Sequence, residues 1–141
     1  MRIMTDYIRL DSVGCTAIWE TRPDEAPLWR YWGPRLAEDA MPAGQLRDTR
    51  PEPSFSLHFD QPLSVFPGVG LGWFGQTALL AHRNGCDWAH AITSCAVEPV
   101  SNGVVFHLTD EIAALTISIR AVLDPETDVL TLSTSLRNDG D

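Results

Sequence analysis

The residues whose types and spacing can do chemistry lie in two loops. In Gly70-Leu71-Gly72-Trp73-Phe74-Gly75 a tryptophan is framed by glycines. An indole face stacks well on the apolar face of a pyranose ring, and glycine lets the backbone come close to a ligand. Trp73 is therefore a candidate carbohydrate contact; the competing reading is a tryptophan packed against a neighbouring domain or the core. Asp48, with Arg47 and Arg50 in a Pro-rich stretch, joins planar donors to a carboxylate acceptor, a set that reads diols well. A solvated surface ion pair fits the same three residues. His58 and His107 alternate with apolar neighbours and read as solvent-facing or hydrogen-bonded strand residues. The Gly-x-Gly-x-x-Gly spacing around Trp73 has no βαβ unit about it, so it carries no dinucleotide reading, and no Gly-x-Ser-x-Gly elbow supports a nucleophilic serine.

Composition removes other classes. All 10 basic residues are arginine, so Schiff-base chemistry, a P-loop lysine and a lysine general base are excluded. Against them stand 19 Asp and Glu, a formal net charge of −9, which repels phosphate backbones and anionic surfaces; neither nucleic acid nor membrane is expected as a partner. Cys15, Cys86 and Cys95 are odd in number and lack a Cys-x-x-Cys spacing, so three buried free thiols are expected, with no metal and no cofactor. The longest stretch without a charged or strongly polar residue, Val65 to Gly75, is broken by Pro67 and four glycines and falls far short of the roughly 18 apolar residues of a membrane span. Arg2, Asp6 and Arg9 interrupt the N-terminus before a signal peptide's apolar stretch can form, so a cytoplasmic location is expected.

The elements that must position these residues are strands. Leu115, Ile117, Ile119, Ala121 and Leu123 alternate with Thr116, Ser118, Arg120 and Val122; Asp124-Pro125-Glu126-Thr127-Asp128 intervenes; then Leu130, Leu132, Thr134 and Leu136 resume the pattern. This predicts a long antiparallel hairpin, with Pro125 setting the turn and the aspartates bonding the local backbone. Phe55, Leu57 and Phe59 mark another half-buried strand. Shorter strands are expected over Tyr7 to Leu10, Thr16 to Thr21, Leu28 to Trp32, Ala78 to His82, Ala91 to Val97 and Val104 to Leu108. Strict alternation puts Trp29 and Tyr31 on one face and Trp32 on the other. Only Leu36 to Met41 suits a helical turn, and Ala40 to Pro53 reads as a long surface loop. The fold expected is an all-β antiparallel sandwich. The chain of 141 residues closes on Arg137-Asn138-Asp139-Gly140-Asp141, just past a strand, so it is expected to be an incomplete sandwich at the front of a larger protein.

Three segments resemble the N-terminal β-domain of glycoside hydrolase family 36 α-galactosidases, the melibiases. They are Tyr31-Trp32-Gly33 followed by Leu36; Phe66-Pro67-Gly68-Val69-Gly70-Leu71-Gly72-Trp73-Phe74-Gly75-Gln76-Thr77-Ala78; and Asp128-Val129-Leu130-Thr131 through Asn138-Asp139-Gly140. The departures from the family pattern are Val65 for Glu, Trp73 for Asp, Gly75 for Arg, Thr77 for Pro and Leu132 for Arg. They imply a divergent member whose substrate need not be a plain α-galactoside.

The resemblance implies a supersandwich of the galactose mutarotase type that leads into a catalytic (β/α)₈ barrel. Mutarotase-type sandwiches use a histidine and a glutamate as an acid/base pair across a concave sheet, and His82, His90 and Glu98 are the candidates that this likeness would need. In that barrel two Asp would act in a retaining mechanism, with carboxyl groups about 5 to 5.5 Å apart. The family's nucleophile lies in a Lys-Trp-Asp signature. This chain has no lysine and no alternating βα pattern, so its 141 residues are expected to be catalytically silent. They would shape the sugar-site rim and the subunit interface of a homo-oligomer acting on carbohydrate. A free-standing carbohydrate-binding or lectin-like module is the alternative, and a purely structural module a third.

Overall fold

The computed structural model describes residues 2–4, 7–40, 62–86 and 88–140. Among the described residues eight strands form two four-stranded antiparallel meanders. The first sheet runs β1 (Arg2–Met4), β2 (Tyr7–Asp11), β3 (Cys15–Arg22) and β4 (Glu25–Pro34); the second runs β5 (Ser94–Val100), β6 (Gly103–Asp110), β7 (Leu115–Leu123) and β8 (Leu130–Asn138). Among the described residues there is no α-helix, only one 3₁₀ turn at Val69–Leu71. Leu36–Ala40 makes a non-helical turn, and Ala78–His82 runs without strand pairing, both contrary to expectation. The predicted strand 54–59 and most of the loop 40–53, with Asp48, lie outside the described residues.

Period-two alternation builds the core. Val104, Phe106 and Leu108 of β6 and Leu115, Ile117, Ile119, Ala121 and Leu123 of β7 meet Ile8, Leu10, Ala17 and Trp19 of the first sheet in one cluster. The Trp19 and Phe106 rings cross edge to face at 5.8 Å between centroids, the arrangement the ring quadrupoles favour. The two sheets therefore form an antiparallel β-sandwich. The predicted hairpin is present, with Leu123 opposite Leu130 and Ile117 opposite Leu136. Asp124 accepts hydrogen bonds from the Glu126 and Thr127 amides at 3.0 and 2.9 Å.

A β-bulge corrects the aromatic pattern of β4. Ile18 pairs with Tyr31 but Trp19 pairs with Trp29, which leaves Arg30 as the extra residue. Cross-strand partners share a face, so Trp29 joins Trp19 on the core side at 4.7 Å, Trp32 follows Ala17 on that side, and Tyr31 turns the other way with Ile18. The outer face of this sheet is also buried: Arg9, Thr16, Ile18 and Glu20 all lie below 9% exposure. Charge is tolerated there because it is paired. Arg9 spends its five N–H groups on Asp11 and on the carbonyls of Leu36, Ala37 and Ala40, which explains why the 36–40 turn lies on the sheet. Arg30 donates to Glu20 at 2.7 Å.

Turns tie the layers together. Asp128 of the β7–β8 turn accepts from Ser12 Oγ at 2.6 Å and from the Gly14 amide at 2.8 Å, in the β2–β3 turn. The Cys95 amide donates to Pro23 O at 2.7 Å. All three cysteines are free, but where three buried thiols were expected Cys15 and Cys95 are half-buried and Cys86 is exposed; partial burial pushes the Cys95 thiol up to about 11. On β8 the apolar inner-row residues Leu132 and Leu136 remain 47% and 50% exposed, so this edge strand overhangs the first sheet.

Candidate functional site

The glycine-framed segment between the sheets is a folded loop. Phe66 anchors its start in the core. The Ala78 amide then donates to Pro67 O at 2.8 Å, and the Gly72 amide donates to Val69 O at 2.9 Å. Gly72 has φ +83°, a left-handed value open to glycine at little cost. Trp73 is half-buried: its Nε1 donates to Gln76 O at 3.0 Å, and its ring lies so close over Gly75 that a Cβ there would meet Cε2 at 2.8 Å. The indole therefore occupies the space that a side chain at position 75 would fill. The ring is fixed before any ligand arrives, which lowers the entropy lost on stacking.

The other limb is equally ordered. Arg83 and Cys86 close a tight turn through two backbone hydrogen bonds, with Asn84 and Gly85 at φ 50° and 82°, the Asn-Gly choice that such a turn requires. His82 stacks on Trp88, centroids 4.5 Å apart, and the Trp88 Nε1 donates to Gly85 O at 2.8 Å. Arg83 reaches Ala113 O and Asn138 Oδ1 on the second sheet at 3.0 and 2.8 Å. From this framework Phe74, Leu80 and Trp88 project into solvent at 84%, 87% and 63% exposure.

The acid/base candidates do not converge. Glu98 pairs with His107 at 2.9 Å, not with His82 or His90; His107 Nδ1 lies 3.2 Å from Ser118 Oγ. This series sits on the open outer face of the second sheet, half in solvent, as expected for His107, where an ion pair is strongly hydrated. His90 is instead buried against Asp110. A cavity of about 240 Å³ is lined by Arg9, Asp11, Arg35 and Glu38. Burial there pushes the Asp11 carboxyl up, but hydrogen bonds from Arg9 and Thr16 and the charges of Arg9 and Arg35 outweigh it and hold the group below its ordinary value. Arg9 has no N–H group left for a ligand there. This arginine could have been suspected from the sequence, because Arg9 interrupts Ile8 and Leu10 inside a strand. Among the described residues no three His, Cys, Asp or Glu gather as a metal site.

The profile of the glycosyl hydrolase family 36 N-terminal domain matches residues 25–141. The chain belongs to that family. This family 36 domain is 28% identical over 123 residues to an α-galactosidase of Escherichia coli, a match covering 87% of the chain and 17% of that protein. It thus spans under a fifth of the relative's length. No solved structure matches it. The match runs through all three segments that carry the resemblance, including the Trp73 loop of the family 36 domain.

Proposed function

We propose that this family 36 domain is the non-catalytic N-terminal sandwich of an α-galactosidase-like retaining glycoside hydrolase, and that its Trp73 loop shapes the rim of the sugar site and the subunit interface of a cytoplasmic homo-oligomer. The acid and the nucleophile belong to a barrel encoded beyond this segment. The observation that carries the reading is the loop: a fixed, half-buried Trp73 beside the exposed Phe74, Leu80 and Trp88. Aromatic faces held in this way suit the CH-rich faces of sugar rings and the apolar centre of an interface. Asp48 stands as a second sugar-facing candidate.

The test is Trp73→Ala in the full-length protein. A stacking role at the rim contributes to ground and transition states alike, so KM should rise about tenfold or more with kcat held. An unchanged KM for every hydrolysed glycoside overturns the rim assignment.

A further inference from the structure

The Trp73 loop is held down at one buried histidine. Gly68 and Gly70, at the loop's start, lie directly on the His90 carbonyl: a Cβ on either would come within 3.0 and 2.6 Å of that oxygen. The His90 side chain is 6% exposed and that of Asp110, at the end of β6, is 2% exposed. On one side His90 Nε2 lies 3.3 Å from Ala81 O in the loop's second limb. On the other, Nδ1 has no hydrogen-bond partner and faces Asp110 Oδ2 at 3.5 Å. Asp110 also accepts two backbone hydrogen bonds, from Ala91 N on Oδ2 at 3.0 Å and from Ala113 N on Oδ1 at 2.9 Å.

Each ring nitrogen thus looks at an acceptor. A neutral imidazole carries a single N–H and must turn a lone pair either to the Ala81 carbonyl or to the Asp110 carboxylate, both repulsive in a site closed to water. Only the imidazolium offers a donor to both. We infer that protonated His90 is a clamp fastening the second limb of the Trp73 loop, at Ala81, to Asp110 at the end of β6, so that the order of this loop follows the charge on one imidazole. Asp110 on β6 is the ion-pair partner facing the ring among the described residues. The loop's second limb presents the ring with the Ala81 carbonyl, while Gly68 and Gly70 pack on the His90 backbone carbonyl. Arg83 turns away to Ala113 and Asn138, His82 lies on Trp88, and Glu111 is exposed. The inference rests on this geometry and holds whether or not the loop meets sugar.

The experiment follows the ¹⁵N shifts of the His90 ring in the full chain between about pH 5 and about pH 8, alongside hydrogen exchange of the Trp73 and Trp88 indole N–H. Both ring nitrogens should carry protons wherever the loop is protected. Loop exchange should rise about tenfold across the pH span in which the ring loses a proton, with β6 and β7 amides unchanged. His90→Gln should fold with loop exchange that no longer responds to pH. Should that variant not fold, Asp110→Asn must shift ring deprotonation and loop loosening together to lower pH. A single neutral tautomer at a pH where the loop is protected overturns the clamp. So does a His90→Gln loop that keeps the wild-type pH response, or an Asp110→Asn chain in which the two events separate.

Discussion

Replacing Arg30 by methionine should cost about 3 kcal/mol of stability, and replacing Glu20 alone a similar amount, while the double replacement Glu20→Leu, Arg30→Met should cost no more than the worse single. The reason is the burial of the pair. Arg30 approaches Glu20 Oε2 to 2.6 Å through Nη2, with the two side chains 7% and 8% exposed. Breaking a buried pair strands a charge and costs about 3–5 kcal/mol, whereas removing both charges is near neutral. The lower end applies here because Arg22, 43% exposed, still reaches Glu20 Oε1 at 3.1 Å. Urea unfolding at neutral pH, read from the emission of the adjacent Trp19 and Trp29, gives the four corners of the cycle. The acid limb supplies a second check. Burial pushes Glu20 up, but the hydrogen bond and charge of Arg30, then those of Arg22, outweigh it and hold the carboxyl below its ordinary value. A depressed folded value means that the contribution is complete above the unfolded value and is lost as pH falls through the folded one. Glu20→Gln should therefore flatten the acid side of the stability profile. Single costs below about 0.5 kcal/mol, or strict additivity, would refute the reasoning.

Three further outcomes can be checked. Asp128→Ala should lower the melting temperature at neutral pH; the Ser12 hydroxyl and then the Gly14 amide hold this carboxyl low, so the gap from wild type should close as acid protonates it. Ala114 sits at φ 50° in the β6–β7 turn, and Ala114→Gly should gain about 0.5–1 kcal/mol in chemical denaturation, the left-handed penalty less the entropy of glycine. The isolated 1–141 chain should self-associate on gel filtration through the overhanging edge of β8, and Leu132→Lys with Leu136→Lys should shift it towards monomer; a clean wild-type monomer would count against that.

The second sheet was legible because β6 and β7 each bury one face, which writes a period of two into them, and because turn chemistry stands at Asp124 to Asp128. The bulge at Arg30 was not, because a bulge belongs to the pairing of two strands and leaves no mark in either one. It moved Tyr31 to the face opposite Trp29 and set Arg30 beside Glu20. Ala78–His82 has apolar residues but pairs with no strand; its order comes from Pro67, Ala81 and Arg83 contacts made across the loop, which local pattern does not encode. Trp73 was found by its glycines, and the indole proved to occupy the space that a side chain at position 75 would fill. The clamp at His90 was only half visible: the residue stood out as titratable, but Asp110 comes to it through the end of β6, 20 residues along the chain.

Release of the aryl group from a panel of aryl α-glycosides, α-galactoside included, measured side by side for the full-length protein and for the 1–141 chain, bears most directly on the proposed role. Turnover by the full-length protein with net retention at the anomeric carbon, and none above buffer for the 1–141 chain, is the expected result. Turnover by the 1–141 chain alone, or no glycoside hydrolysis by the full-length protein, would contradict it.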